Sequence, residues 1–246
     1  EALDVVPKLA HMFDEPFADS SQIPTYLVSA MTRQHVTVAL SGDGGDELFA
    51  GYNRYQLTSR SWRMLSLMPE FARNSVASAL TSQPTERWDK LSALLPRRLT
   101  PPQLGDKIHK VASVLKLDDA DALYRRLVSH WEPSRLMTGA AETRGVLWDE
   151  SVRKDFPDLL DRMQFLDLVT YLPDDILTKV DRCSMAVALE ARVPLLDHRV
   201  VELAWRLPHS AKIRGGVTKW LLRQVLYRHV PQELVERPKM GFGVPL

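Results

Sequence analysis

The sequence predicts a mostly α-helical chain with one β-strand, residues 35–40. Three observations predict it. Apolar residues recur at helical spacing along most of the 246 residues. Only HVTVAL, 35–40, is β-branched and apolar with polar and glycine flanks, the pattern of a strand. That strand is apolar on both faces, and such a parallel-type strand needs partner strands. The partners are expected either outside the chain or in segments too weak to recognise.

The elements follow in order. Leu3, Val6, Leu9, Ala10 and Phe13 give a helix over 2–13. DEPFADSSQIP, 14–24, is a polar loop, and Pro24 suits the first turn of a helix over 24–33. After the strand, Ser41 to Gly45 make a turn and Asp46 to Gly51 start a helix. Helical patterns continue over 53–67 and 70–80. LLPRRLTPPQLGD, 94–106, reads as an internal linker, and Arg97 with Arg98 reads as part of a solvated loop. Helices are expected near 103–115, 119–130, 149–154 and 161–172. Pro173 opens a further helix that runs to Pro194. Segments 197–206 and 217–229 are the last two, and RPKMGFGVPL is irregular.

Composition excludes several functions. Lys and Arg number 32 against 31 for Asp and Glu, so nothing electrostatic points to nucleic acid or a membrane surface. No apolar run nears the ~20 residues that span a bilayer. The single cysteine, Cys183, excludes an internal disulfide or cysteine-rich zinc site. One cysteine fits a reducing compartment, and a cytoplasmic location is expected. The amphipathic start is not a signal peptide, and without an initiator methionine the chain reads as part of a longer protein.

The chemistry concentrates in SGDGGDELFAGY, 41–52. A glycine turn at the carboxyl end of a strand is where open α/β sheets bind ligands, and a helix start favours anions. Yet this turn carries Asp43, Asp46 and Glu47. Two explanations stand. A bridging Mg²⁺, held by Asp46 or Asp43, would bind a polyphosphate. Alternatively Asp43 is an N-cap, with Asp46 completing a capping box. Neither the P-loop nor the strict dinucleotide spacing is present. In the 172–197 stretch, Asp175 and Lys179 form an i,i+4 pair, and Arg182 and Glu190 share a helix face. Taken alone, this is an amphipathic helix with surface ion pairs. Lys239, between Pro238 and Gly241, is an ammonium on a shaped loop, able to stabilise charge at phosphorus.

SGDGGDELFAGY, YLPDDILTKVDRCSMAVALEARVPLLDHRVVELAWRLP and KWLLRQVL…RPKMGFGVPL, preceded by DSSQIPTY, together resemble the synthetase domain of glutamine-hydrolysing asparagine synthetases. The likeness covers about 14–55 and 160–246 well, whereas 56–160 is similar only in being helical. It implies an α/β fold of the adenine-nucleotide α-hydrolase-like type, with 1–246 as the C-terminal part of one such domain. It implies a carbon–nitrogen ligase that activates aspartate with ATP and Mg²⁺ as β-aspartyl-AMP. Ammonia, released from glutamine by an N-terminal domain, then gives asparagine. By resemblance, Ser41, Gly42 and Asp46 bind the nucleotide, with Asp46 as the Mg²⁺ ligand. Asp43 handles the proton of the attacking ammonia, Lys239 stabilises the α-phosphate, and Glu190, Arg192 and Asp197 are scaffold. A homodimer of the full-length protein is compatible with the sequence, which does not fix it.

The departures matter. Asp43 stands where glutamate is frequent, Ala50 replaces a glycine without expected harm, and Cys183 is expected in the core. The pyrophosphate loop S-G-G-x-D-S and the glutaminase cysteine are absent from the 246 residues. The isolated chain is therefore expected to be inactive. Alternatives are a relative that amidates another carboxylate or closes a lactam, and a non-catalytic helical interaction module. Lactam formers are expected to carry tyrosine at position 43, so Asp43 favours ammonia as nucleophile.

Overall fold

A computed structural model describes residues 2–92, 104–129, 138–139 and 144–236. Arg97, Arg98 and Lys239 lie outside the described residues. The chain forms two compact units, Glu1–Tyr52 with Asp161–Leu246, and Asn53–Leu160. The 94–106 stretch therefore falls inside the second unit, and does not separate the two. Among the described residues no helix is long and apolar enough to cross a membrane.

The first unit is built on two parallel strands, β1 (Val38–Leu40) and β2 (Glu190–Arg192), in register Val38 to Glu190 and Leu40 to Arg192. The Glu190 N–H donates to the Thr37 carbonyl (2.9 Å) and the Ser41 N–H to the Arg192 carbonyl (2.7 Å), which extends the ladder at both ends. Two expectations are corrected here. The strand covers 38–40 and not 35–40, because its partner is only three residues long. A second strand also lies within the chain, where the sequence suggested continuous helix to Pro194. Its pattern was unreadable because Glu190 and Arg192 point outward and only small Ala191 faces in. Leu40 remains 75 % exposed.

The predicted helix from Pro173 is split. Leu172–Leu177 is a π-helical turn, with the Thr178 hydroxyl donating to the Pro173 carbonyl (2.8 Å). A proline that cannot donate within its helix favours such a wide turn. An α-helix, Thr178–Met185, follows and packs on the Gln22–Arg33 helix. Ala188, left-handed at φ 56°, then reverses the chain into β2. Leu48, Phe49 and Ala204 form a buried cluster, covered by Leu168, Leu196, Val200, Val201 and Leu222. It locks the short Gly45–Leu48 helix against His198–Arg206.

The second unit is helical: Asn53–Leu65, Glu70–Thr81, Thr85–Ser92, Leu104–Leu115, Ala120–Val128 and Glu150–Asp155. The Thr85–Ser92 helix was not legible, because TERWDKLS carries only two large apolar residues. Ala77, Ala112 and Leu115 form its core cluster. The Arg73 guanidinium lies over the Trp62 ring and donates to the Leu117 carbonyl (2.8 Å). Asp119 caps the Ala120–Val128 helix by accepting from the Ala122 N–H (2.7 Å) and also pairs with Arg153 (2.9 Å). Replacing Asp119 by Ala should cost about 1 kcal/mol in urea unfolding, and Asp119→Asn, which keeps the cap, should cost only a few tenths. Equal losses for the two variants would contradict the capping role.

Candidate active site

The acidic glycine turn borders a cavity of about 810 Å³ in the first unit. Gly44 adopts a left-handed conformation (φ 79°) and is the N-cap of Gly45–Leu48 without any side-chain cap bond. The capping explanation for Asp43 is thereby corrected. The reversal at Gly44 leaves Asp43 beside Ser41, whose hydroxyl donates to its carboxylate. The three groups Ser41, Gly42 and Asp43 all line the cavity, and the side of Gly42 is open.

Asp46 pairs with Lys219 at 2.8 Å, a contact nothing in the local sequence announces. Gly51 makes room for it. A Cβ there would lie 2.0 Å from Asp46 Oδ1 and 2.2 Å from Lys219 Cε. Lys219 is left-handed (φ 53°), and its N–H donates to the Phe49 carbonyl (3.2 Å). Ala50 is left-handed too (φ 53°) and fully buried. The exchange of glycine for alanine is therefore not free, since such a conformation costs a non-glycine residue about 1 kcal/mol.

Glu47 is 2 % exposed, and the Tyr52 hydroxyl donates to its Oε1 at 2.7 Å. Burial pushes the Glu47 carboxyl above its ordinary value, and the Asp46 and Asp167 carboxylates push the same way. Burial and the Glu47 charge raise the Tyr52 phenol far above its usual range, so Tyr52 stays a donor. Its ring meets Tyr171 edge-on (5.8 Å).

Across the cavity, Lys179 is buried and pairs with Asp19, and lies 3.7 Å from Asp175. The expected i,i+4 pair of Asp175 and Lys179 is present, but it is not a surface pair, because Lys179 is buried. Burial penalises the Asp19 charge, but the Lys179 ammonium and two Ser21 donors (2.7 and 2.8 Å) outweigh it and hold Asp19 below the usual carboxylate range. Burial raises the Asp175 carboxyl. Cys183 is fully buried, as expected, donates to the Gln22 carbonyl (3.4 Å), and has its thiol pushed up to about 11 by burial. Arg182 pairs with Asp14 (2.5 Å) and Glu190 with Arg192 (2.7 Å), so they do not share a helix face. Asp197 caps the next helix through the Arg199 N–H (2.9 Å), and Arg199 holds its carboxyl well below the usual range.

The structure thus gathers Ser41, Gly42, Asp43 and Asp46, and adds Glu47, Tyr52, Lys179 and Lys219, which the motif reading did not assign. The signals for Lys179 were its i,i+4 spacing to Asp175 and its place among Ile176, Val180 and Cys183 on one helix face.

A glycine turn at the carboxyl end of a parallel strand, facing a cavity of carboxylates and hydroxyls, is the ligand-site arrangement of α/β proteins. The particular family follows from comparison. The asparagine synthase family model matches residues 1–246, and the chain belongs to that family. It is 34 % identical to asparagine synthetase (glutamine-hydrolyzing) 1 of Bacillus subtilis, covering all of this chain and 37 % of the relative. It is 36 % identical to a putative asparagine synthetase (glutamine-hydrolyzing) of Mycobacterium bovis, covering all of this chain and 35 % of that protein. The amidase chyE of Penicillium rubens is 24 % identical over 89 % of this chain. The chain therefore spans little more than a third of the length of these first two relatives. No solved structure matches.

Glu47→Gln keeps the acceptor for Tyr52 and removes a buried charge. A raised folded value means the wild type loses stability as pH climbs from the ordinary glutamate range, about 4.3, towards that value. The variant should match wild type below about pH 4 and melt at a higher temperature at pH 7. A variant that melts lower at pH 7 but equally at pH 4 would show the charge to be stabilising.

Proposed function

We propose that residues 1–246 are the C-terminal part of one synthetase domain of a glutamine-hydrolysing asparagine synthetase, acting in the cytoplasm. The reaction is the ATP-dependent amidation of aspartate through β-aspartyl-AMP, with ammonia supplied from glutamine by a further domain. The observation that supports it most is the convergence of Ser41, Asp43 and Asp46 on one cavity in a chain that matches its family from end to end.

The residues fit Mg²⁺. Asp46 Oδ1 is buried and has no hydrogen-bond partner among the described residues, and hard carboxylate oxygens of this kind are what Mg²⁺ takes alongside phosphate. Asp46 would hold it, and when bound it would offset the charge of the polyphosphate. Ser41 and Gly42 present the open side of the turn to the nucleotide. Lys239 stabilises charge at the α-phosphorus as the aspartate carboxylate attacks and pyrophosphate leaves. Ammonia then attacks the acyl carbon, AMP leaves, and Asp43 accepts the ammonia proton, with the Ser41 hydroxyl fixing its carboxylate. A second reading is amidation of another carboxylate by the same steps, since Ser41, Gly42, Asp43 and Asp46 are assigned to nucleotide, metal and ammonia and none of them to the acceptor acid.

The full-length protein with Mg-ATP, aspartate and glutamine should release asparagine, AMP and pyrophosphate in equal amounts. Asp46→Asn should lower kcat/KM by about 100-fold or more, the scale of removing one group that stabilises transition-state charge. The isolated 246-residue chain should form no AMP. AMP release only with a different acid would select the second reading, and no Mg-ATP-dependent AMP from the full-length protein would reject both.

A further inference from the structure

Behind the cavity wall the first unit holds a polar chain that the chemistry above does not use. Lys212 is 1 % exposed, lies over the Trp205 ring (5.1 Å), and donates to Gln164 Oε1 at 3.1 Å. Gln164 is also 1 % exposed, and its Nε2 donates to the backbone carbonyl of Glu47. Glu47 is the residue after Asp46, and its carboxylate receives Tyr52 on the cavity side. A buried lysine and a buried amide are both costly in an apolar core unless their hydrogen bonds are made.

The direction of the chain is fixed by chemistry. A lysine ammonium can only donate. It therefore claims the oxygen end of the Gln164 amide and turns the nitrogen end towards Glu47. The Glu47 carbonyl, an acceptor, needs that nitrogen. A glutamate at 164 would still satisfy Lys212 but would set a carboxylate against a carbonyl. An apolar residue would leave both neighbours without that partner bond. The short Gly45–Leu48 helix carries Asp46 and Glu47 on a single turn, too brief to hold itself. Its apolar side rests on Ala204, and Gln164 grips its polar backbone.

We infer that Gln164 is a positioning residue for the Asp46–Glu47 turn, and that Lys212 acts on that turn through Gln164. Neither touches the cavity. The inference rests on the ligase reading for its kinetic consequence and on geometry alone for its structural one.

The test uses the full-length protein with Gln164→Met, Gln164→Glu, Lys212→Met and the double variant Gln164→Met with Lys212→Met. Supporting residues of this kind change activity by about 10- to 100-fold. Each single variant should lower kcat/KM for aspartate amidation on that scale while circular dichroism stays native. Because Lys212 acts through Gln164, the double variant should be no worse than Gln164→Met alone, whereas two independent core lesions would multiply. Lys212→Arg, which still donates to Gln164, should recover most of the loss. Multiplicative losses, or folded single variants within about twofold of wild type, would overturn the inference. Hydrogen exchange of the amides in 44–51 is measured on the same samples. If the wild-type protein shows no ligase activity, the functional reading fails, and faster exchange in Gln164→Met alone still supports the strut. Unchanged exchange would sink it.

Discussion

The contact on which the acidic turn depends is the one Gly51 leaves open. Asp46 and Lys219 meet where any side chain at 51 would stand, at distances no Cβ tolerates. Two left-handed residues flank this contact in the chain, Ala50 on one side and Lys219 itself on the other. Such backbone is maintained only when surrounding packing over-determines it. Here Phe49 supplies both a buried ring and the carbonyl that receives the Lys219 N–H. The strain, the glycine and the ion pair are thus one arrangement.

Concentrating carboxylates round one cavity is costly unless each has a donor of its own. The structure meets that requirement group by group. Ser41 serves Asp43, Lys219 serves Asp46, and Tyr52 serves Glu47. On the facing wall Lys179 and Ser21 serve Asp19. Ser41, Tyr52 and Ser21 stand close in sequence to the groups they serve, whereas Lys219 and Lys179 come from distant parts of the chain, so the site is complete only when the segments that carry those two lysines have packed. Glu47 is the least favourable member, its upward shift coming first from burial. The Gln164 amide holds its backbone from the opposite side.

What was legible follows the range of the forces involved. HVTVAL announced β1, and the turn after it announced the site, because strand propensity and glycine conformation are local. The helices over 24–33, 53–67 and 70–80 appear nearly as expected, since a stripe of apolar residues is enough to define each. β2 was hidden because Glu190-Ala191-Arg192 carries no apolar alternation and gains its structure from pairing with β1. Asp43 has the sequence spacing of a cap, and Gly44 takes the cap position instead by turning left-handed. Lys219 and Lys212 could not be found at all, since Lys219 meets a residue most of the chain away and Lys212 one 48 residues away, and neither contact leaves a trace in the neighbouring sequence. The motifs identified the family, and the fold supplied the partners of its charged groups.

The assignment of Asp46 to Mg²⁺ is tested most directly by a crystal structure of the full-length protein with Mg²⁺ and a non-hydrolysable ATP analogue. Mg²⁺ is expected on the Asp46 carboxylate and phosphates along the open side of Gly42, with the Gln164–Glu47 contact intact. A nucleotide bound elsewhere, with Asp46 held only by Lys219, would contradict that assignment.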